Sequence, residues 1–472
     1  MTLKMLKYHT SRLFWLCFLA LMLVATAFAE WNESVLYSFQ GGNSDGAVPV
    51  GGIVFDSKGN LYGATAEGGG QCPPLYCGTV FHLTPPAKNG DPWTETVLYV
   101  FKGVGPSSAD GSNPGGGLVM DSSGNLYGTT AYGGTGNCVL LGTKVGCGTV
   151  YELSPPAEKG GNWTERILYN FQSGKDGYLP IGDLTFDAVG NLYGATVYGG
   201  GYGSCNSPYY QYCGTVFRLH PPKQKDGKWS ERVLYSFKGG TAGKGGGDGA
   251  EPNGGLVLDS KGSIYGTTYY GGDESGECDG GDTGTGCGTA FMLSPPSKMC
   301  KPWTETTLHR FNVQEGATPA ASVVLDEDGN LYGTVYAGGN QGSGGVFELT
   351  SPAGKSHVWT EKVLYLFEAA AGGAGPEAGL VIDGAGSIYG TTYYGSGDEL
   401  QGSVFRLKAP HKSQGARSID YLHGFVRAPD GLFPAAGLVL DGAGSLYSTT
   451  QEGGIGTSCG HGGCGTVFEV SP

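Results

Sequence analysis

From residue 31 onward, apolar and polar positions alternate in short bursts, each bounded by Gly, Pro, Asn or Asp. A period of two with such punctuation predicts strands. One full unit holds four of them: Gly52–Asp56, Asn60–Thr65, Gly78–Leu83 and Trp93–Phe101, named A, B, C and D. The B signature, Leu-Tyr-Gly or a close variant, returns with its tyrosine at Tyr62, Tyr127, Tyr193, Tyr265, Tyr332, Tyr389 and Tyr447. The C signature returns with its aromatic at Phe81, Tyr151, Phe217, Phe291, Phe347, Phe405 and Phe468. D begins Trp-x-Glu at Trp31, Trp93, Trp163, Trp229, Trp303 and Trp359, and a seventh copy runs from Ser418 to Phe425 without its Trp. Seven copies of a four-stranded unit predict an all-β, seven-bladed β-propeller. The phase of the repeat adds one expectation. The chain starts on D, Trp31 to Phe39, and ends on A, B and C, Gly437 to Val470. The N-terminal strand is therefore predicted to close the last blade, removing two sheet edges that would template aggregation.

Composition changes this picture little. The 472 residues include 90 Gly and 25 Pro, a level that suits disorder, but 28 Tyr and 19 Phe argue for packed strands and tight turns. The first segment reads differently. Lys4, Lys7 and Arg12 precede an apolar run from Leu13 to Ala25, followed by Ala27-Phe28-Ala29. This predicts a secretory signal peptide over residues 1–29, with the propeller over 30–472 and export of the mature chain. The run is short for a transmembrane anchor, and no membrane span is expected after cleavage. The net charge is −14, and losing the leader makes it more negative. Nucleic acid is not an expected partner. A monomer is expected.

The turns carry the candidate chemistry. Asp-x-x-Gly between A and B, as at Asp56, reads as a hairpin. Asp-Gly-x-x-Pro between D and A places Asp45, Asp110, Asp176, Asp248 and Asp430, with Glu315 in another unit, on the loop face. Such a ring reads either as turn chemistry or as a funnel for cations or cationic ligands. Tyr132, Tyr198, Tyr270 and Tyr394 stand before the Gly-Gly or Gly-Ser of the B–C loops, with Tyr269, Tyr336 and Tyr393 one residue earlier. Tyrosine faces beside carboxylates suit sugars; packing between blades is the alternative. The same loops carry cysteines in pairs, Cys72/Cys77, Cys138/Cys147, Cys205/Cys213, Cys278/Cys287 and Cys459/Cys464. Two units lack both members, as bonded partners would, so five local disulfides are expected in an oxidising compartment. Cys300 is left over. Asp273, Glu277, Asp279 and Asp282 form an acidic insertion that reads as a Ca²⁺ loop or as a solvated one. No cofactor is otherwise required. Signals for catalysis are sparse: the histidines do not recur in register, and Gly456-Thr-Ser458-Cys-Gly460 lacks the strand-to-helix setting of a nucleophile elbow.

The run Asp121 to Thr130, followed by Gly-Gly and Cys-Gly-Thr-Val-Tyr, resembles the GloVer (Gloeobacter–Verrucomicrobia type) tandem repeat of secreted bacterial "choice-of-anchor" proteins. The resemblance covers nearly the whole mature chain. It implies a bacterial, exported repeat protein and lends no catalytic residue. No sorting tail is read after Pro472. Three functions stay open. One is a binding module for glycan or another cell-envelope ligand. The second is a polysaccharide-degrading hydrolase or lyase built on two carboxylates. The third is a protein-interaction or structural platform. Fold alone decides none of them.

Overall fold

The structure is a computed structural model. It describes residues 31–472 except 73–74, 89, 106–107, 159, 202–212, 225–226, 240–246, 273–277, 279–285, 299–300, 340, 353–357, 370–371, 396–400, 411–416 and 461. Seven antiparallel sheets, each ordered A-B-C-D, form the seven blades of a β-propeller. In blade 1 the strands are Gly46–Phe55, Leu61–Gly68, Thr79–Thr84 and Thr94–Val100. In blade 7 the A, B and C strands are Val439–Leu440, Leu446–Thr450 and Thr466–Ser471, and D is the N-terminal strand Asn32–Ser38. Their register runs from Asn32 opposite Ser471 to Ser38 opposite Thr466. The ring closes as the repeat phase predicts. Among the described residues, no helix is long and apolar enough to cross a membrane.

The core is divided into seven clusters, one at each junction between blades. At every junction a D-strand phenylalanine meets the C-strand aromatic of the next blade. Phe39 lies 5.0 Å from Phe81, Phe101 5.0 Å from Tyr151, Phe171 5.1 Å from Phe217 and Phe237 5.1 Å from Phe291. Phe311, Phe367 and Phe425 repeat the contact with Phe347, Phe405 and Phe468 at 4.9, 5.1 and 4.9 Å. Burying such a ring contributes about 1.5–3 kcal/mol, and an edge-to-face partner adds about 0.5–1.5 kcal/mol. Each D strand also carries a bulge against C at one repeated point, between Val35 and Tyr37 and at Val80/Phe81 in blade 1. A bulge raises local twist and re-aims the residues beyond it. Here it lets Leu and Phe of Val-Leu-Tyr-x-Phe both face blade junctions.

Two further devices set the geometry. In the A–B hairpin Asp56 Oδ1 accepts the N–H groups of Lys58 and Asn60 at 2.8 and 3.0 Å, and Tyr62 donates its hydroxyl to Oδ2. Every blade repeats the Tyr–Asp bond, so these aspartates are hairpin residues. At the axis, small residues that begin the A strands meet in a closed circuit. Gly51 abuts Gly117, Gly116 abuts Gly182, Gly182 abuts Gly254, and Gly254 abuts Ala321. Ser322, Gly379, Gly437 and Gly52 complete the circuit. A Cβ on Gly51 would stand 2.1 Å from the Gly117 nitrogen, so a side chain there would push neighbouring blades apart.

Candidate functional site

The carboxylates of Asp-Gly-x-x-Pro lie in the D–A turns with their oxygens engaged. Asp45 is buried; its Oδ2 accepts the Tyr37 hydroxyl at 3.0 Å and the Gln40 N–H at 2.6 Å, and its Oδ1 accepts the Gly46 N–H. Asp110 and Asp176 take Tyr99 and Tyr169 in the same way at 2.8 and 2.9 Å, and Asp248 takes Tyr235. In two blades histidine replaces this tyrosine: His423 faces Asp430 at 3.1 Å and His309 faces Glu315 at 3.5 Å. The turn reading accounts for these contacts. The bonds that hold the carboxylates come from the D-strand tyrosine or histidine and from N–H groups of the turn itself.

Sequence reading does not anticipate what stands beside them. Glu33, Glu95, Glu165, Glu231, Glu305 and Glu361, from the Trp-x-Glu starts, each face the turn acid of the preceding blade. Burial raises the carboxyl pKa of Glu95, Glu165 and Glu231 from 4.5 to about 7, and the neighbouring aspartate adds to the rise.

Three disulfides are described, Cys138–Cys147, Cys278–Cys287 and Cys459–Cys464. Cys77 and Cys213 are also disulfide-bonded. The side chain of Cys72, and Cys205, Cys300, Asp273, Glu277, Asp279 and Asp282, lie outside the described residues. The second cysteine of each pair has a further use. The fourth residue of Asp-Gly-x-x-Pro holds a positive φ in every blade: Val48 52°, Asn113 58°, Leu179 61°, Glu251 57°, Thr318 55°, Gly375 61° and Phe433 59°. Only one of the seven is glycine, and such a conformation costs other residues about 1–2 kcal/mol. Each N–H donates to the blade before it, and in five blades the acceptor is the carbonyl of that cysteine. Examples are Leu179 to Cys147 at 3.1 Å and Thr318 to Cys287 at 2.7 Å. The disulfides thus fix five of the seven acceptors in this ring of clamps, and the carbonyls of Ser343 and Gln401 serve the other two.

The side chains on this ring are unequal. Immediately after Thr65 and its equivalents stand Ala66, Ala131, Val197, Tyr269, Tyr336, Tyr393 and Gln451. The backbone meets the clamp of its own blade, as Val197 N–H donates to the Leu179 carbonyl, and the side chain turns to the clamp of the next blade, as Tyr393 does to Phe433. Blades 1–3 are small and apolar here, and blades 4–6 carry three tyrosines. Tyr393 stacks on Phe433 at 4.8 Å and 21° and hydrogen-bonds Gln451 at 3.4 Å. Tyr336 lies over Gly375, where a Cβ would stand 2.8 Å from its ring, and shares a hydrogen bond with Tyr394. Tyr269 packs edge-on against Tyr270 at 4.8 Å and bonds Thr318. Two carboxyls complete the arc. Glu251 is itself a clamp residue and is buried, which pushes its pKa to about 7. Glu377 is raised by burial too, and its charge reaches Tyr269, Tyr336 and Tyr393. Burial, with Glu377 and Tyr394, pushes Tyr393 up to about 12, so its hydroxyl stays protonated. At the axis itself, Asp183 stands where other blades have Gly or Ser, accepting the Gly117 N–H at 2.5 Å.

The tyrosines singled out by sequence fall unevenly around this arc. Tyr270 and Tyr394 belong to it, and Tyr394 is 44% exposed. Tyr198 is buried and packs on Tyr178 at 5.3 Å; Tyr132 lies opposite Ser112 in blade 2. Glu251, Glu377 and Asp183 escape sequence reading because each is unique in its repeat column. Aligning the seven copies and asking which columns vary, rather than which recur, would find them.

The family model described as Gloeobacter/Verrucomicrobia repeat matches residues 24–280 and 277–472. No curated protein matches the sequence. Among solved structures, the chain is similar to a Trichoderma reesei member of Carbohydrate-Active Enzymes Family AA12, in a calcium structure. The TM-score is 0.41 and identity 13%, covering 94% of this chain and 95% of that one. It is also similar to a luciferin-regenerating enzyme, with TM-score 0.40 and 11% identity over 94% and 95%. Likeness at this level bears on no activity.

Proposed function

We propose that this chain, a member of the Gloeobacter/Verrucomicrobia repeat family, is an exported binding module for a glycan or another hydroxyl-rich cell-envelope ligand. The observation that carries the reading is the lopsided clamp ring. The same repeat position is Ala, Ala and Val in three blades and Tyr in the next three. Packing between blades needs no such asymmetry, since blades 1–3 pack without it. Tyrosine faces cover the apolar faces of sugar rings, and their hydroxyls, with Gln451 and Thr318, bond to sugar hydroxyls. Glu251, with a pKa of about 7, is a donor below neutrality and an acceptor above it. The paired cysteines and the apolar leader support export.

Purified mature protein on a polysaccharide panel tests this. Tyr336→Ala and Phe433→Ala are each expected to weaken binding about tenfold or more, the equivalent of about 1.4 kcal/mol, at little cost in stability. Binding that is absent, or unchanged in both variants, overturns the reading. A second reading rests on Glu251 and Glu377, two carboxyls raised by burial beside one tyrosine. Glycoside hydrolysis needs such a pair. Release of reducing sugar that Glu377→Gln abolishes would favour it.

A further inference from the structure

Among the described residues, three metal-ligating side chains converge at one place, the seam where the ring closes. Ligand atoms of Glu33, His423 and Asp430 lie within 4.8 Å of one another. Glu33 is on the N-terminal strand that completes blade 7. His423 is on the D strand of blade 6, Ile419–Gly424, and Asp430 is in the turn that follows it. The repeat supplies an internal comparison. At the His423 position, blades 1, 2, 3, 5 and 7 carry Tyr99, Tyr169, Tyr235, Tyr365 and Tyr37, and a phenol is a poor ligand. At this seam an imidazole takes its place.

We propose that Glu33, His423 and Asp430 bind a divalent transition-metal cation of the Zn²⁺ type, tying blade 6 to the strand that closes the ring. His423 Nε2 and Asp430 Oδ2 are 3.1 Å apart. Two ligands of one tetrahedral Zn²⁺, each at about 2.0–2.1 Å, stand about 3.3 Å apart. Glu33 Oε1 is buried without a hydrogen-bond partner among the described residues, as are the Oε1 atoms of Glu95, Glu165, Glu231 and Glu361, so what sets this seam apart is the imidazole brought within 4.8 Å of both carboxylates. The site is within reach of solvent ions, with His423 21% and Asp430 11% exposed at their side chains. One imidazole with two carboxylates favours Zn²⁺ over Ca²⁺, which prefers oxygen alone. Asp430 keeps its Oδ1 bond to the Gly431 N–H and its bond from the Val426 N–H, which orient it as a ligand. The junction of blades 4 and 5 offers a similar set, His309, Glu315 and Glu361, with Glu in place of Asp, but among the described residues it does not bring three ligand atoms within that distance, so it serves as a control.

The test uses the mature, EDTA-stripped and dialysed protein with ZnCl₂ or CaCl₂, followed by calorimetry and thermal unfolding. His423→Tyr restores the residue that five other blades carry, so it is expected to fold. The wild type should bind one Zn²⁺ that Ca²⁺ does not replace. At a hundredfold excess over Kd its Tm should rise by about 3 °C. His423→Tyr should abolish both effects, and His309→Tyr should leave them intact. Absence of Zn²⁺ binding in the wild type, or binding that His423→Tyr leaves unchanged, overturns the proposal.

Discussion

Removing residues 31–39 is expected to abolish the stable monomeric fold. The deletion strips blade 7 of its outer strand, with the register from Asn32/Ser471 to Ser38/Thr466. It also takes Phe39, which is fully buried between Phe81 and Tyr37. Truncating a phenylalanine in such a site costs about 3–5 kcal/mol, so Phe39→Ala should lower the guanidinium midpoint clearly while leaving a folded protein. The full deletion loses that and the strand pairing together, and it exposes Thr466–Ser471 as an unpaired edge. Dimers or aggregates should appear, because an open edge recruits another strand. A synthetic peptide of residues 31–42 added in trans should restore monomeric, cooperative unfolding. Phe237→Ala at the junction of blades 3 and 4 is the matched comparison, since Phe237 makes the same contact with Phe291 at 5.1 Å. A deletion variant that melts like the full chain would mean that this strand pairing does not hold the ring together.

The closing strand was legible because phase is a property of sequence: a chain that starts on D and ends on C leaves one blade to be completed by its two ends. The hairpin aspartates were legible for a similar reason, since Asp-x-x-Gly needs only local geometry. What stayed hidden depends on contacts between repeats. Trp-x-Glu reads as a strand start, and nothing local to Glu95 announces Asp45 of the turn before blade 1. A signal did exist. The unit whose turn has lost its acid, at Gly372, is followed by the D copy with Ile419 at the glutamate position. Both members are missing together, and Tyr421 fills the space against Gly372. Joint loss identifies the cysteine pairs in the same way, since two units lack both members.

The arc on blades 4–7 was half legible. Tyr269, Tyr336 and Tyr393 were visible one residue before the tyrosines singled out, but which of two adjacent strand residues faces inward depends on the register with strand C. Glu251 looked like any residue of a turn. Its positive φ, shared by Asn113, Leu179 and Thr318, follows from the bond to the preceding blade, and a linear reading does not contain that bond. Recurrence revealed the scaffold, while departures from it mark the candidate site.

Stability is expected to be highest in mildly acid solution and to fall as pH rises toward 8, the opposite of the usual carboxylate behaviour. The cause is the set of acid pairs between blades. Glu95 faces Asp45 and Tyr37, Glu165 faces Asp110, Tyr99, Tyr151 and Lys102, and Glu231 faces Asp176 and Tyr169. Burial first, then the aspartate charge, lifts each glutamate from 4.5 to about 7. The Oε1 of each is buried with no partner among the described residues. Between pH 4.5 and 7 the folded chain therefore holds protons that the unfolded chain has released. The contribution is fully present below about pH 4.5 and is lost as pH rises through 7. Asp56, Asp187 and Asp420 act in the other direction, because their hydrogen bonds hold them below 3.8, and they lose their contribution only as the solution becomes more acid. The two sets together place the Tm maximum near pH 4.5. Partial solvent access screens each pair, so the fall from pH 5 to pH 8 should be about 5 °C rather than the full linkage value. Glu95→Gln, Glu165→Gln and Glu231→Gln combined keep the neutral shape at every pH. That variant should melt with the wild type at pH 5 and several degrees above it at pH 8. A wild-type Tm that is flat or rising over this range would remove the acid pairs as the source. A slope that survives the triple substitution would assign it elsewhere, with Glu251, buried in the arc and lifted to about 7, the next group to replace.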